Sequence, residues 1–294
     1  MTAAARPRRS VLYMPGSNTR ALEKGRSLPA DALILDLEDA VAPDAKAEAR
    51  ANIKAALSQG GYGKREILVR VNGLDSPWGA EDLAAMATSG ADGILLPKVE
   101  SADSVLTAQN ILDDNGGPAD LALWCMIETP LGVLHAEEIG RSTPRLGGFV
   151  MGTSDLAKDL HCLHTPERMP FMASLNIAVL VARAFGFAVL DGVHLDLSDE
   201  AGFEASCRQG LELGFDGKTL IHPKTIATAN AVFGPTAAEI TQSSKIIEAF
   251  ETASAAGKGV VVLDGKLVEN LHVENAKRVL ALAAMIEDLE ADQT

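Results

Sequence analysis

The chain has 294 residues, of which 47% are hydrophobic and 22% charged, the balance of a globular protein rather than a disordered one. Its 26 Lys and Arg against 40 Asp and Glu give a formal net charge of −14, which argues against a nucleic-acid or anionic-membrane partner and requires a local basic patch for any anionic substrate. Cys125, Cys162 and Cys207 show no C-x-x-C spacing, so a disulfide framework is not expected and a reducing compartment is.

Apolar segments rich in β-branched residues, each ending at a polar or Gly/Pro position, recur at residues 10–14, 32–37, 67–71, 93–97, 121–127, 148–151, 188–195 and 219–221. Their continuous apolar character is that of strands buried on both faces of a parallel sheet. Helical periodicity fills the intervals at 19–26, 45–57, 77–89, 102–112, 131–139, 170–185, 199–213 and 224–233, the last stopping at Gly234–Pro235. Eight strands alternating with helices favour an α/β fold of the closed (β/α)₈ barrel type over a doubly wound open sheet.

Beyond Pro235 the pattern changes to a helix over 236–256, a Gly257–Lys258–Gly259 turn, a short strand over 260–263, a hairpin-like Asp264–Gly265 turn and a helix over 273–289. The expected division is a barrel over 1–234 and an extension over 235–294, too small for a confident separate domain and placed against the barrel or a neighbouring subunit. Residues 1–9 are basic but lack the apolar region of a secretory signal, and no run reaches the roughly 18 to 20 apolar residues of a membrane span. A cytoplasmic protein is the expectation.

In such barrels the chemistry sits where strands end. Those ends read Met14–Pro15–Gly16–Ser17, Asp36–Leu37–Glu38–Asp39, Arg70–Val71–Asn72–Gly73, Pro97–Lys98–Val99–Glu100, Ile127–Glu128–Thr129–Pro130, Gly152–Thr153–Ser154–Asp155, His194–Leu195–Asp196 and Ile221–His222–Pro223. Glu128 and Asp155, read as ending the adjacent fifth and sixth strands, form a hard-metal pair suited to Mg²⁺; capping of the next helix or pairing with a rim cation is the alternative. Arg70 would hold a carboxylate bidentately, or pair with Glu38 or Asp39. Asp36 and Glu38 share a face by period two, and one carboxylate of the Asp36, Glu38, Asp39 cluster would orient Arg70 or a metal-bound water. Lys98 would join that network, and Schiff-base chemistry there would be redundant beside a metal. His135, His161 and His164 read as surface residues, and zinc spacing and a Gly-x-Ser-x-Gly elbow are both lacking.

Six motifs in order, Arg9–Ser10–Val11–Leu12–Tyr13–Met14–Pro15–Gly16, Leu35–Asp36–Leu37–Glu38–Asp39–Ala40–Val41, Arg70–Val71–Asn72, Leu96–Pro97–Lys98, Ile127–Glu128–Thr129 and Gly152–Thr153–Ser154–Asp155–Leu156, resemble the citrate lyase β-subunit-like branch of the HpcH/HpaI aldolase family over nearly the whole chain. The resemblance implies Mg²⁺ or Mn²⁺ on Glu128 and Asp155, and Arg70 on the glyoxylate or 2-keto-acid portion of the substrate. It implies a CoA site on Tyr13, Asn18 and Lys24, joined by Ile221, His222 and Pro223. It also implies a homotrimer or homohexamer whose C-terminal segment closes over a neighbour's barrel. Where the family's lyases carry Gly-x-Met-Ile/Val-Asp, this chain reads Gly265–Lys266–Leu267–Val268–Glu269, moving the carboxylate that exchanges the thioester α-proton about one methylene outward; a misplacement of about 1 Å costs on the order of 100-fold in a positioned step. The expected activity is Claisen-type cleavage of a malyl-CoA-like thioester to a 2-keto acid (glyoxylate) and an acyl-CoA, with Glu269 protonating the enolate. The runner-up is a malyl-CoA thioesterase releasing malate and CoA from the same pocket.

Overall fold

The computed structural model describes residues 6–257 and 259–293. The residues before Arg6, which precede the basic part of the chain's start, and the centre of the Gly257–Lys258–Gly259 turn lie outside the described residues. The chain divides into two compact units, Met1–Phe233 and Gly234–Thr294.

In the first unit, eight parallel strands close into a barrel in chain order: β1 (Ser10–Pro15), β2 (Ala32–Asp36), β3 (Glu66–Arg70), β4 (Gly93–Leu96), β5 (Ala122–Ile127), β6 (Leu146–Met151), β7 (Ala188–Asp191) and β8 (Gly217–Leu220). The (β/α)₈ reading of the sequence is thus the observed fold. Both strand faces are buried because alternate residues fill different layers. Val11, Ile34, Leu68, Leu95, Trp124, Met126, Val150 and Leu190 pack inside the barrel, while Leu12, Leu33, Val69, Ile94, Cys125, Phe149 and Val189 belong to the cluster shared with the helices. Trp124 has the largest of the fully buried side chains. Gly148 makes room for it, since a methyl group there would overlap the indole and lie 2.7 Å from the Ala188 carbonyl oxygen. Arg8, ion-paired with Glu66, lays its guanidinium 5.1 Å from the Trp124 ring and seals the N-terminal floor.

The helices are α1 (Thr19–Gly25), α2 (Lys46–Gln59), α3 (Gly79–Met86), α4 (Ala102–Asp114), α5 (Pro130–Leu134), α6 (Ala136–Gly140), α7 (Thr153–Leu160), α8 (Met172–Phe185), α9 (Glu200–Leu213) and α10 (Ile226–Phe233). Three departures from the sequence reading concern the segments around the site. β7 stops at Asp191, so His194, Leu195 and Asp196 lie in the following loop. A helix, α7, occupies the segment after β6 that the periodicity left unassigned. The expected helix over 131–139 is two short ones meeting at His135, whose ring Nδ1 lies 2.7 Å from the Glu100 carbonyl oxygen.

A charged cluster is buried in the outer layer. Asp191 and Lys218 are register partners on β7 and β8, and the Lys218 ammonium donates to Asp191 Oδ2 at 2.8 Å. Arg168, left-handed at φ 55°, donates through Nη1 to both Asp191 oxygens at 2.7 Å and so ties the segment before α8 to the barrel wall. Asp191 and Lys218 are both fully buried, which their pairing with each other and the pairing of Asp191 with Arg168 make tolerable.

The second unit contains α11 (Ala237–Ala255), an antiparallel hairpin of β9 (Val261–Leu263) and β10 (Lys266–Val268), and α12 (Asn270–Asp292). Thr236 and Glu239 form a capping box that starts α11. The Asp264–Gly265 hairpin turn has φ of 49° and 76° at its two central residues, the geometry that Asp-Gly favours. Among the described residues no helix is long and apolar enough to cross a membrane.

Candidate active site

The register of β2 and β3 sets Asp36 opposite Arg70 at the C-terminal rim. Both are buried, and Arg70 Nε and Nη2 donate to Asp36 Oδ1 and Oδ2, each at 2.7 Å. Asp36 also accepts the backbone N–H of Glu38 at 2.9 Å and of Ala40 at 3.1 Å. Its oxygens are therefore committed to holding Arg70 and the loop after β2. The Tyr13 ring lies 4.9 Å from the centre of the Arg70 guanidinium, a cation–π contact beside the ion pair. Burial opposes the Arg70 charge, but Asp36, Tyr13 and Glu38 more than offset it and raise its pKa. Arg70 is a permanent cation, with Nη1 the part of its fork left out of the Asp36 pair.

Glu38 faces that nitrogen. Its Oε2 lies 2.9 Å from Arg70 Nη1, yet makes no hydrogen bond of good geometry among the described residues, whereas Oε1 accepts from the Lys98 ammonium at 2.6 Å. Burial raises the Glu38 pKa, against the pull of Arg70 and Lys98. Asp39, largely exposed, stands 3.7 Å from Arg70 Nη1 at the outer edge.

Glu128 follows β5 and is 2% exposed. Its Oε1 accepts the backbone N–H of Lys98 at 2.8 Å. Desolvation, reinforced by the like charge of Glu38, pushes its pKa up to about 7, with the Lys98 N–H and the Arg70 charge pulling the other way. Gly152 is required beside it: a methyl group there would overlap Glu128 Cβ and Oε2. Asp155 does not end a strand as its spacing suggested. It lies in the first turn of α7, where it faces Lys98 Nζ at 3.8 Å and Lys158 Nζ at 3.5 Å. Lys98 thus borders Glu38, Glu128 and Asp155 together.

Sequence reasoning missed Lys46, Arg50 and Asp82, which brace this rim, and named Asn72 at the third strand end without this role. Lys46 donates to the Leu37 and Glu38 carbonyls at 2.8 Å each. The Asn72 amide bridges Leu37 O, at 2.9 Å, to Asp82, at 2.6 Å, and Asp82 in turn accepts from Arg50 at 2.7 Å. Buried charges on otherwise amphipathic helices were the available signal.

Of the residues expected at a CoA site, Tyr13 lies in the barrel at Arg70, while Asn18 caps α1 by accepting the Ala21 N–H at 3.1 Å. Lys24 is exposed in the last turn of α1. Ile221 is exposed, and His222 and Pro223 begin the turn after β8, the His222 ring accepting the Lys224 N–H at 3.1 Å. β1 and β8 are hydrogen-bonded neighbours, so the two loops share one arc of the mouth. On the opposite arc a cleft of about 490 Å³ is lined by Asn72, Asp75, Lys98, Glu100, Thr129 and Asp159, among others. Glu269 lies in the second unit at the residue before α12, with its N–H donating to His272 Nδ1 at 3.0 Å.

The residues present fit a small hard cation. Glu128 is a buried carboxylate whose ionisation is disfavoured by burial despite Arg70 and Lys98, so that a further cation would favour it, and Asp155, facing the Lys98 ammonium, is a second oxygen donor beside the residue whose backbone N–H Glu128 accepts. Among the described residues no group of three or more His, Cys, Asp or Glu is arranged around a metal position. Two carboxylates suit Mg²⁺, which retains waters and takes substrate oxygens for its remaining positions.

Comparison with known proteins places this rim in context. Over 291 residues the chain is 50% identical to a (3S)-malyl-CoA thioesterase of Cereibacter sphaeroides, covering 99% of this chain and all of that one. It is 37% identical to the citrate lyase subunit beta of Escherichia coli K12, covering 95% of this chain and 94% of that one. The crystal structure of the protein CitE from Mycobacterium tuberculosis, in complex with magnesium, acetoacetate and coenzyme A, superposes with a TM-score of 0.74 at 27% identity over 96% of this chain and 99% of that one. A family model described as HpcH/HpaI aldolase/citrate lyase matches residues 9–223, a span running from the end of the first strand's lead-in to the loop after β8. With the match spanning the whole barrel and its rim, the chain belongs to the HpcH/HpaI aldolase/citrate lyase family.

Proposed function

We propose that this chain is a Mg²⁺-dependent enzyme acting on malyl-CoA-like thioesters, and that its reaction is hydrolysis to the free hydroxy-diacid and CoA. The observation that carries the choice is the 50% identity, across essentially both full lengths, to a (3S)-malyl-CoA thioesterase, against 37% to a citrate lyase subunit. This reverses the ranking that the sequence motifs suggested, in which cleavage came first.

Arg70 binds the substrate's terminal carboxylate through Nη1, and its orientation is fixed by the two parallel hydrogen bonds to Asp36. Glu38, with one oxygen anchored to Lys98 and the other in ion-pair contact with Arg70 but without a well-aligned hydrogen bond, accepts a proton from the attacking water. Asp36 and Asp39 position the guanidinium and do not exchange protons with substrate. Mg²⁺, or Mn²⁺ in its place, held by Glu128 and Asp155, would supply Lewis-acid polarisation of the substrate's acid-end oxygens. The arc formed by Asn18, Lys24, Ile221, His222 and Pro223 takes the CoA portion, Lys24 supplying positive charge for its phosphates, while Tyr13, expected there, lies instead against Arg70 at the acid end.

The carbon–carbon lyase is the second reading, favoured by the carboxylate-holding Arg70 and by the CitE complex in which magnesium, a keto acid and coenzyme A were found together. In it Glu269 protonates the enolate, carried to the barrel of a neighbouring subunit in a homotrimer or homohexamer. Incubation with malyl-CoA and Mg²⁺, following malate, free CoA, glyoxylate and acetyl-CoA together, separates the two. Malate and CoA in equal amounts support hydrolysis; glyoxylate matched by acetyl-CoA overturns it in favour of cleavage.

A further inference from the structure

Lys98 holds the rim together in two ways. Its backbone is left-handed, φ 48°, a conformation that L side chains adopt rarely and that clusters at functional sites. In that conformation its N–H meets Glu128 Oε1 at 2.8 Å, while the side chain crosses to Glu38 Oε1 at 2.6 Å and stops 3.8 Å from Asp155 Oδ2. The bond to Glu38 is short and charge-assisted; the approach to Asp155 is a looser ion pair. The side chain is 39% exposed and borders the 490 Å³ cleft, so the ammonium has room to move without leaving Glu38.

We propose that the Lys98 ammonium is the resident counter-cation of this rim, pairing with Asp155 when no metal is bound and yielding it when a divalent ion is taken up between Glu128 and Asp155, so that Lys98 weakens metal binding by competition. The inference rests on reading Glu128 and Asp155 as the ligand pair. A fixed unit charge beside an incoming divalent ion repels it strongly in a partly buried site, where screening is weak. Glu38 gives the released ammonium a place to stay, which keeps the exchange reversible. Lys98 is therefore a positioning residue that sets how much free metal the enzyme needs.

The test is Mn²⁺ binding to the metal-stripped full chain, read from the electron paramagnetic resonance signal of free Mn²⁺ and independent of turnover. Lys98→Met and Lys98→Gly are expected to bind Mn²⁺ at least about tenfold more tightly than the parent, while Lys98→Arg stays within about threefold of it. Glycine is at home at positive φ, so Lys98→Gly guards against a variant that fails to fold. Unchanged or weaker binding in both Lys98→Met and Lys98→Gly overturns the competition. Glu128→Gln separates the two levels of argument. If Mn²⁺ binding survives that change unaltered, the ligand pair is misassigned and the inference falls with it. If Glu128→Gln abolishes binding while the Lys98 variants tighten nothing, the ligand pair stands and only the role of Lys98 is lost.

Discussion

Asp36 and Arg70 meet through two parallel hydrogen bonds of 2.7 Å each, between residues that the parallel register of β2 and β3 already sets side by side. Neither partner can be changed without stranding the other in a buried setting. Arg70→Lys, which keeps the charge but loses the planar fork, should lower kcat/KM on the order of 100-fold or more. Arg70→Met should in addition destabilise the fold by about 3–5 kcal/mol, because Asp36 is left buried without its counter-ion. Steady-state kinetics and urea unfolding check the two effects separately; a Lys variant of unimpaired kcat/KM removes Arg70 from substrate binding.

Glu128 gives the metal-free protein a definite pH signature. Its pKa is about 7 in the fold against a reference of 4.5, so between these values the folded state retains a proton that the unfolded chain has lost. Stability should therefore fall as pH rises from about 4.5 to about 7 and then level off, by up to about 3 kcal/mol. Glu128→Gln should flatten that part of the profile. Thermal unfolding in chelator at pH 5 and pH 8, for parent and variant, measures the difference, and equal pH slopes in the two proteins contradict the assignment.

Metal affinity should follow the same ionisation in the opposite sense. Because the bound ion requires the carboxylate form, Mg²⁺ binding should tighten as pH rises through about 7 and release protons as it does so. Calorimetric titrations in buffers of different ionisation enthalpy at pH 6 and pH 8 count those protons.

Gly152→Ala places a methyl group onto Glu128 Cβ and Oε2, contacts that side-chain rotation cannot clear. The expected result is a fall in Mg²⁺ affinity of about tenfold or more from displacement of a positioned ligand, with a stability loss of about 1–3 kcal/mol from overpacking. Parent-like Mg²⁺ affinity in this variant argues that Glu128 is not a ligand.

The buried cluster of Arg168, Asp191 and Lys218 yields an ordering. Asp191→Asn leaves the fully buried Lys218 facing the partly buried Arg168 without their shared counter-ion and should cost about 3–5 kcal/mol. Lys218→Met leaves Asp191 paired with Arg168 and should cost less. Urea midpoints that rank the two the other way exclude the cluster as described.

The barrel was legible in the sequence because strands buried on both faces announce themselves as continuous apolar runs, and the rim carboxylates because charges at the ends of such runs are conspicuous. The seventh strand was read four residues too long, since Val193 and Leu195 continue its apolar character past Gly192. Asp191 appeared as an interruption in that run, and only the structure shows Lys218 neutralising it from the next strand. Helix α7 went unassigned because Thr153–Leu160 is short and half polar, and so Asp155 was assigned to a strand end when it belongs to a helical first turn. Lys98 was visible as a rim residue, but its left-handed backbone, which lets one residue serve three carboxylates, leaves no trace in residue type.

Arg8 laid on Trp124, and the buried side chains that fill the barrel below Arg70, leave the C-terminal rim as the face from which a substrate would enter. A substrate lodged with its acid end at Arg70 and its CoA end toward the β1–β8 arc has the small acid at the back of the chamber and the bulky thiol in the passage. On the proposed function, departure would then be sequential: CoA would have to clear the passage before the acid follows, so that free CoA would act as a stopper against which the acid product and the next substrate both wait.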